Sequence, residues 1–277
     1  MNQAWIDTFT REKNLGPLEQ DFRRGLKVFL TESRKLPDYR KNPSFMVKMQ
    51  KEGTDFATEA DMLMQRNLKE SLLTEQHSDM QYGFWGEEKP DNTIEWQAYD
   101  RVWVSDPIEG TINYKGERDR DAEGEWGSVL SLVDARTNTP LIGFVIDPIS
   151  RELYFAVKGQ GAYRVLLEEN WENGQLTQIM PEEKDTITKT IAFNRSDHFP
   201  DDLRKQSVDF ENHMKSNGVA VEDPESGTLE VVRVEKYDGA ICFRTSEEMA
   251  AAMLFIEEAG GKATDFQGNG WKPGIRS

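Results

Sequence analysis

The chain has one cysteine, Cys242, and three histidines, His77, His198 and His213, among its 277 residues. A lone thiol excludes an intramolecular disulfide framework and a thiolate metal cluster, and within the apolar run GAICFRT it reads as core. The histidines are scattered through polar segments, and none forms an H-E-x-x-H zinc motif or a nucleophile partnership. Long apolar runs are missing too. No window is uncharged over a membrane span, and the start MNQAWIDTFTREKN lacks the basic-then-apolar order of a signal peptide, so a cytoplasmic protein with no membrane partner is expected. Basic residues are in deficit, 34 against 50 acids for a net charge of -16. That balance repels phosphate backbones, and no nucleic-acid partner is expected. There is no G-x-x-x-x-G-K-[ST] loop and no G-x-G-x-x-G between a strand and a helix, so the nucleotide-triphosphate and dinucleotide signatures are absent.

What is present suffices for one substantial core or two closely packed halves, with 37% hydrophobic residues. In LEQDFRRGLKVFL, Leu18, Phe22, Leu26 and Phe29 share a helical face, and the polar, Pro-containing stretch after it, through Pro43, reads as a loop. Thr58 and Asp61 have capping-box spacing ahead of Met64, Leu68 and Leu72, which predicts a second helix with Asp61 in its first turn. From Arg101 the texture changes to short strand-like runs: RVWVSD, GSVLSLVDA, PLIGFVIDP and ELYFAVKGQGAYRV. Two more, TKTIAFNR and DGAICFRT, precede SEEMAAAMLFIEEAGG, an apolar helix stopped by Gly260 and Gly261. The mixture implies a layered α/β or α+β architecture.

Acids recur in four places: TDFATEAD (Asp55, Thr58, Asp61), FWGEEKP (Glu87, Glu88), DPIEGT (Asp106, Glu109, Thr111) and TSEEMAAA (Glu247, Glu248). Each has a purely structural explanation when taken alone, such as a helix cap at Asp61 or turn decoration at Glu88. DPIEGT resists it best. An acid at a strand end, then Pro and Gly-Thr, makes a sharp turn that points backbone N–H groups and carboxylates into one space. Hard cations such as Mg²⁺ take oxygen ligands, and such ions assist hydrolysis of phosphate esters.

In their order, TDFATEAD, GFWGEE, WVSDPIEGTINY, PLIGFVIDP, ELYFAVKGQGAY, SGTLEVVRV and AAAMLFIEEAGGKATDFQG resemble the inositol monophosphatase superfamily of Mg²⁺-dependent, lithium-sensitive phosphatases, with some likeness to the inositol polyphosphate 1-phosphatase branch. The resemblance implies a layered αβαβα sandwich of the inositol monophosphatase and fructose-1,6-bisphosphatase type. It implies a unit over 1–277, with most metal ligands in an N-terminal half (1–187) and a C-terminal half (188–277) lacking the family's last strand and helix. It also implies a homodimer and two to three Mg²⁺ ions, with Mn²⁺ as an allowed substitute.

Carried over by position, the metal ligands would be Glu87, Asp106, the Ile108 carbonyl, Glu109 and Glu248. Asp61, Thr111 and Glu87 would serve catalysis, Thr111 polarised by Asp61 and positioning the attacking water. Gly110, Thr111, Gly227, Thr228 and Arg244 would hold substrate. Glu109 and Glu248 stand where the family usually has aspartate, and Ile241 stands where the inositol-phosphate enzymes place a hydroxyl-binding acid. The implied activity is hydrolysis of a small phosphorylated metabolite such as an inositol or sugar phosphate. The alternatives are a 3'-phosphoadenosine 5'-phosphate 3'-phosphatase and a catalytically reduced phosphate-binding or scaffold homologue.

Overall fold

The structure, a computed structural model, describes residues 4–50, 56–74, 79–116, 125–180, 190–193, 201–222, 227–233, 236–242, 246–265 and 267–273. Helices α1 (Ala4–Glu12), α2 (Glu19–Ser33) and α3 (Leu36–Lys41) come first, then a hairpin of β1 (Lys48–Gln50) and β2 (Phe56–Thr58) that feeds directly into α4 (Glu59–Thr74). The apolar stripe of α2 buries Phe22, Leu26 and Phe29 completely, and that of α4 buries Met64, Leu68 and Leu72, as helical spacing of apolar residues requires.

The main sheet has seven strands whose spatial order follows the chain: β3 (Tyr82–Gly86), β4 (Arg101–Glu109), β5 (Gly127–Asp134), β6 (Thr139–Asp147), β7 (Glu152–Val157), β8 (Gly161–Leu167) and β9 (Gly174–Ile179). The β3–β4 pair is parallel and the remaining neighbours are antiparallel. A short helix, α5 (Thr111–Lys115), follows β4. After the sheet come β10 (Thr190–Phe193), α6 (Asp201–Ser216), β11 (Ala220–Glu222), α7 (Gly227–Val232), β12 (Gly239–Ile241) and α8 (Ser246–Glu258). The short strands form a second, parallel sheet in the order β11-β10-β12.

Both faces of the main sheet are covered, which explains why β4 is buried at every position rather than alternating with solvent. Trp103 joins the core made by α1, α2 and α4, where Phe9, Phe22, Phe144, Phe155 and Tyr163 interlock. Val102 and Val104 face the other way, toward Ala250 and Met253 of α8 and toward Trp85, Trp96 and Trp271. A further core joins Val129, Val145 and Tyr154 of the sheet to Leu229 and Val232 of α7 and to Leu254 and Phe255 of α8. With α7 touching β12 and α6 touching β11, the order helix, sheet, helix, sheet, helix is the expected αβαβα sandwich. Among the described residues no helix is long and apolar enough to cross a membrane.

Three expectations need correction. The helix carrying Phe22 is not the first, because Trp5, Ile6 and Phe9 already form a buried face on α1. The stretch expected as a loop contains α3 and a 3-10 turn over Pro43–Met46. In α3 Pro37 sits in the first turn, where its missing N–H has no intrahelical partner to lose. Cys242 is only partly buried, packed against the α7–α8 core.

Candidate active site

Parallel pairing places Gly86 opposite Ser105, so the next residues along, Glu87 and Asp106, stand side by side at the carboxyl end of β3. Open α/β sheets bind ligands at such ends. Glu87 is tied there by its N–H, which donates to the Ser105 carbonyl at 3.1 Å. Beyond Asp106, β4 bulges. Asp106 pairs with Val129 and Glu109 with Gly127, so Pro107 and Ile108 together oppose Ser128. A bulge tolerates Pro107, which has no N–H for the ladder. The Ser128 hydroxyl donates to the Pro107 carbonyl at 2.5 Å, and the Ile108 N–H donates to Asp106 Oδ1 at 3.1 Å. The bulge therefore turns Asp106, Ile108 and Glu109, each about 1% exposed, around one corner.

Gly110 completes the corner at φ +82, and a Cβ on it would lie 3.2 Å from the Glu125 carbonyl oxygen. Only glycine takes that conformation and that approach without strain. The same carbonyl accepts from the Asn113 side-chain amide at 2.7 Å, and the Arg40 Nε–H donates to the Tyr114 carbonyl at 2.8 Å, so α5 is fastened at both ends. Its opening turn carries backbone donors with no intrahelical acceptor.

The capping pair lies where its spacing placed it. Thr58 donates from both N–H (2.8 Å) and Oγ to Asp61 Oδ2, and Asp61 is fully buried in the first turn of α4. Its other oxygen, Oδ1, lies 3.4 Å from Thr111 Oγ, which also lies 2.9 Å from the Ile108 carbonyl as a donor. Asp61 thus does more than cap: it reaches the DPIEGT turn across about 50 residues of sequence.

Electrostatically the centre is Asp106. Burial first, then the charges of Glu87 and Glu248, a hydrogen bond with Glu87, and the charge of Glu109 push its carboxyl well above the ordinary 3.8. Glu248 comes from the first turn of α8, where the helix dipole favours an acid, and is nearly buried, whereas its neighbour Glu247 is partly exposed. Glu88 is also nearly buried, so it is no turn decoration. Helix α7 lies beside the bulge, with Leu229 packed over Gly127, the register partner of Glu109. Gly227 opens α7, and the fully buried Thr228 hydroxyl makes no hydrogen bond among the described residues. At the far end of α7, Arg233 pairs with Glu125 at 2.6 Å and Asp147 at 3.2 Å. Arg244 and Asp55, and the charged loop residues 117–124, lie outside the described residues.

Among the described residues, no three acid, imidazole or thiol groups converge as a ready cation cage; Glu87 and Asp106 instead share a hydrogen bond. The half-buried Glu87 and the buried Asp106, joined in this way, set carboxylate oxygens where one cation would serve both. The donor set is entirely oxygen, which fits a hard divalent cation and not zinc or a softer metal.

Fold and site together define a layered αβαβα sandwich with oxygen donors at the ends of neighbouring strands. The chain belongs to the inositol monophosphatase family, whose model matches residues 27–276. It is 26% identical to inositol-1-monophosphatase of Rhizobium meliloti over 222 residues, 78% of this chain and 74% of the relative. The fold is shared with the extragenic suppressor protein SuhB of Bartonella henselae, TM-score 0.71 at 18% identity over 90% of this chain and 89% of the other. It is shared also with CysQ of Bacteroides thetaiotaomicron, TM-score 0.61 at 20% identity over 85% of each. Family membership makes the chain a phosphatase of a generally metal-dependent superfamily.

Sequence reasoning missed Gln65, Ser128, Glu125 and Arg233. Gln65 alone carried a readable signal, being one helical turn beyond Asp61 on the same face.

Proposed function

We propose that the protein is a Mg²⁺-dependent phosphomonoesterase acting on a small polyol or sugar phosphate, with inositol phosphates as the substrate class. The observation that carries this reading is the buried Asp106, set at a β-bulge among Glu87, Glu109 and Glu248, beside a Gly-Thr turn that Asp61 reaches. Glu87, Asp106, the Ile108 carbonyl, Glu109 and Glu248 would hold two to three divalent ions. When bound, such ions stabilise charge on a phosphoryl group and lower the pKa of water. The chain's own residues do the rest. Thr111 Oγ orients water, with Asp61 Oδ1 at 3.4 Å and the Ile108 carbonyl at 2.9 Å as the two acceptors open to its proton. The opening amides of α5 bind phosphate oxygens as helix starts do, and Gly227 and Thr228 at the start of α7 bound the substrate side. No side chain is required as a nucleophile.

The test is hydrolysis of inositol 1-phosphate, a panel of sugar phosphates and 3'-phosphoadenosine 5'-phosphate, with Mg²⁺ and with EDTA. Turnover of at least one ester, abolished by EDTA, is expected. Silence on all of them with Mg²⁺ and Mn²⁺ would overturn the proposal, and a preference for the nucleotide would move the substrate class but not the chemistry.

Glu109 and Glu248 are each one methylene longer than aspartate. If their lengths are matched to each other, Glu109→Asp or Glu248→Asp alone should slow the active enzyme about 10–100-fold, since roughly 1 Å of misplacement costs that much. Activity that emerges only in the double variant would instead mark the natural chain as a catalytically reduced homologue.

A further inference from the structure

We infer that Gln65 is a positioning residue for Glu87, clamping the main chain of the Glu87–Glu88 turn to α4 and so fixing where the Glu87 carboxylate stands. The inference rests on the reading of Glu87 as a cation ligand. Gln65 is 2% exposed, and its carboxamide brackets the Glu88 backbone: Nε2 donates to the Glu88 carbonyl at 2.7 Å and the Glu88 N–H donates to Oε1 at 2.9 Å, with a longer contact of 3.5 Å from Nε2 to Asp91 Oδ2. The fit leaves no room for a side chain at Gly86, where a Cβ would lie 2.2 Å from Gln65 Oε1. The glycine that opens GEE is thus explained by the amide packed against it. Around the clamp, the Gly86 N–H donates to the Asp91 carbonyl and the Asp91 N–H to the Glu88 carbonyl, both at 3.0 Å. Lys69, one more turn along α4, pairs with Asp91 at 2.5 Å.

Asp61, Gln65 and Lys69 therefore form a stripe at four-residue spacing, and they hold in turn the Thr111 corner, the Glu88 main chain and Asp91. One rigid helix sets both carboxylate-bearing turns in a common frame. The chemistry at position 65 is specific to an amide. A glutamate would accept from the Glu88 N–H but would oppose a second oxygen to the Glu88 carbonyl, and methionine would offer neither bond.

Isothermal titration of Mg²⁺ into metal-free protein, with melting temperature in EDTA beside it, tests this on wild type, Gln65→Met, Gln65→Glu, Lys69→Met and Glu87→Gln. Partners that orient a ligand typically account for 10–100-fold in metal affinity. Both Gln65 variants are expected to weaken binding about 10–100-fold and to recover activity at high Mg²⁺, and Lys69→Met, which removes a contact to Asp91 and none to Glu88, is expected to lose less than either. Wild-type affinity in the Gln65 variants alongside a loss in Glu87→Gln would overturn the clamp alone. Wild-type affinity in Glu87→Gln would instead overturn the ligand reading beneath it. Should the Gln65 variants not fold, amide hydrogen exchange of the natural protein decides: strong protection of the Glu88 N–H is expected without metal, and free exchange overturns the inference.

Discussion

Asp106→Asn is expected to leave the protein folded, to raise its metal-free stability at neutral and alkaline pH, and to slow phosphate-ester hydrolysis about a thousandfold or more. Burial, then Glu87 and Glu248, hold the Asp106 carboxyl well above its ordinary range. A carboxyl whose pKa rises on folding binds its proton more tightly in the folded state. Its stabilising effect is complete below the unfolded value of about 3.8 and is lost as pH climbs through the raised folded value. Asparagine removes that penalty while keeping the shape, so the melting temperature without metal should rise near pH 8, and the gain should shrink as pH falls. Divalent cations need the ionised carboxylate, so Mg²⁺ should stabilise the natural protein more at pH 8 than at pH 5.5, and the variant little at either. The catalytic loss follows from forfeiting about 4 kcal/mol of charge stabilisation in the transition state. Thermal melts across pH with and without Mg²⁺, paired with initial rates, check both halves.

At the other end of the same strands, Asp21→Ala should cost roughly 3–5 kcal/mol of stability, the usual consequence of breaking one side of a buried ion pair, without changing Mg²⁺ affinity. Asp21 is fully buried on α2 and accepts from the Tyr82 hydroxyl at 2.9 Å, from Arg24 at 2.8 Å and from Arg101. Arg24 also lies over the Tyr82 ring at 4.8 Å. Burial and then Asp21 push the Tyr82 phenol up to about 12, so it stays a donor throughout the physiological range. Tyr82 and Arg101 begin β3 and β4, whereas Glu87 and Asp106 lie near their far ends. Chemical denaturation should therefore show a large loss in Asp21→Ala, and Mg²⁺ titration of the protein that remains folded should match the natural protein. A large change in metal affinity would mean that the strand starts and ends are not energetically separate.

Much of this was legible locally. Thr58 and Asp61 carry their cap in their spacing, and DPIEGT carries its sharp turn in Pro107 and Gly110. The apolar texture of β4 to β8 and α8 reveals a sheet covered on both faces. What was not legible depends on pairing between distant segments. Nothing near FWGEEKP says that β3 runs parallel to β4 with Gly86 opposite Ser105, yet that register is what puts Glu87 beside Asp106. The same holds for Gln65, whose bonds to Glu88 span 23 residues, and for Arg233, which reaches Glu125 across 108. The α3 helix was hidden for a different reason, since Pro37 breaks helices in their middles and starts them at their ends.

If the proposed function holds, the acids around Asp106 gather divalent cations beside Thr111. Anomalous diffraction from crystals soaked in Mn²⁺ tests it most directly. At least two peaks are predicted, sharing Asp106 between Glu87 on one side and Glu109 with Glu248 on the other; a map with no peak among these residues would contradict it.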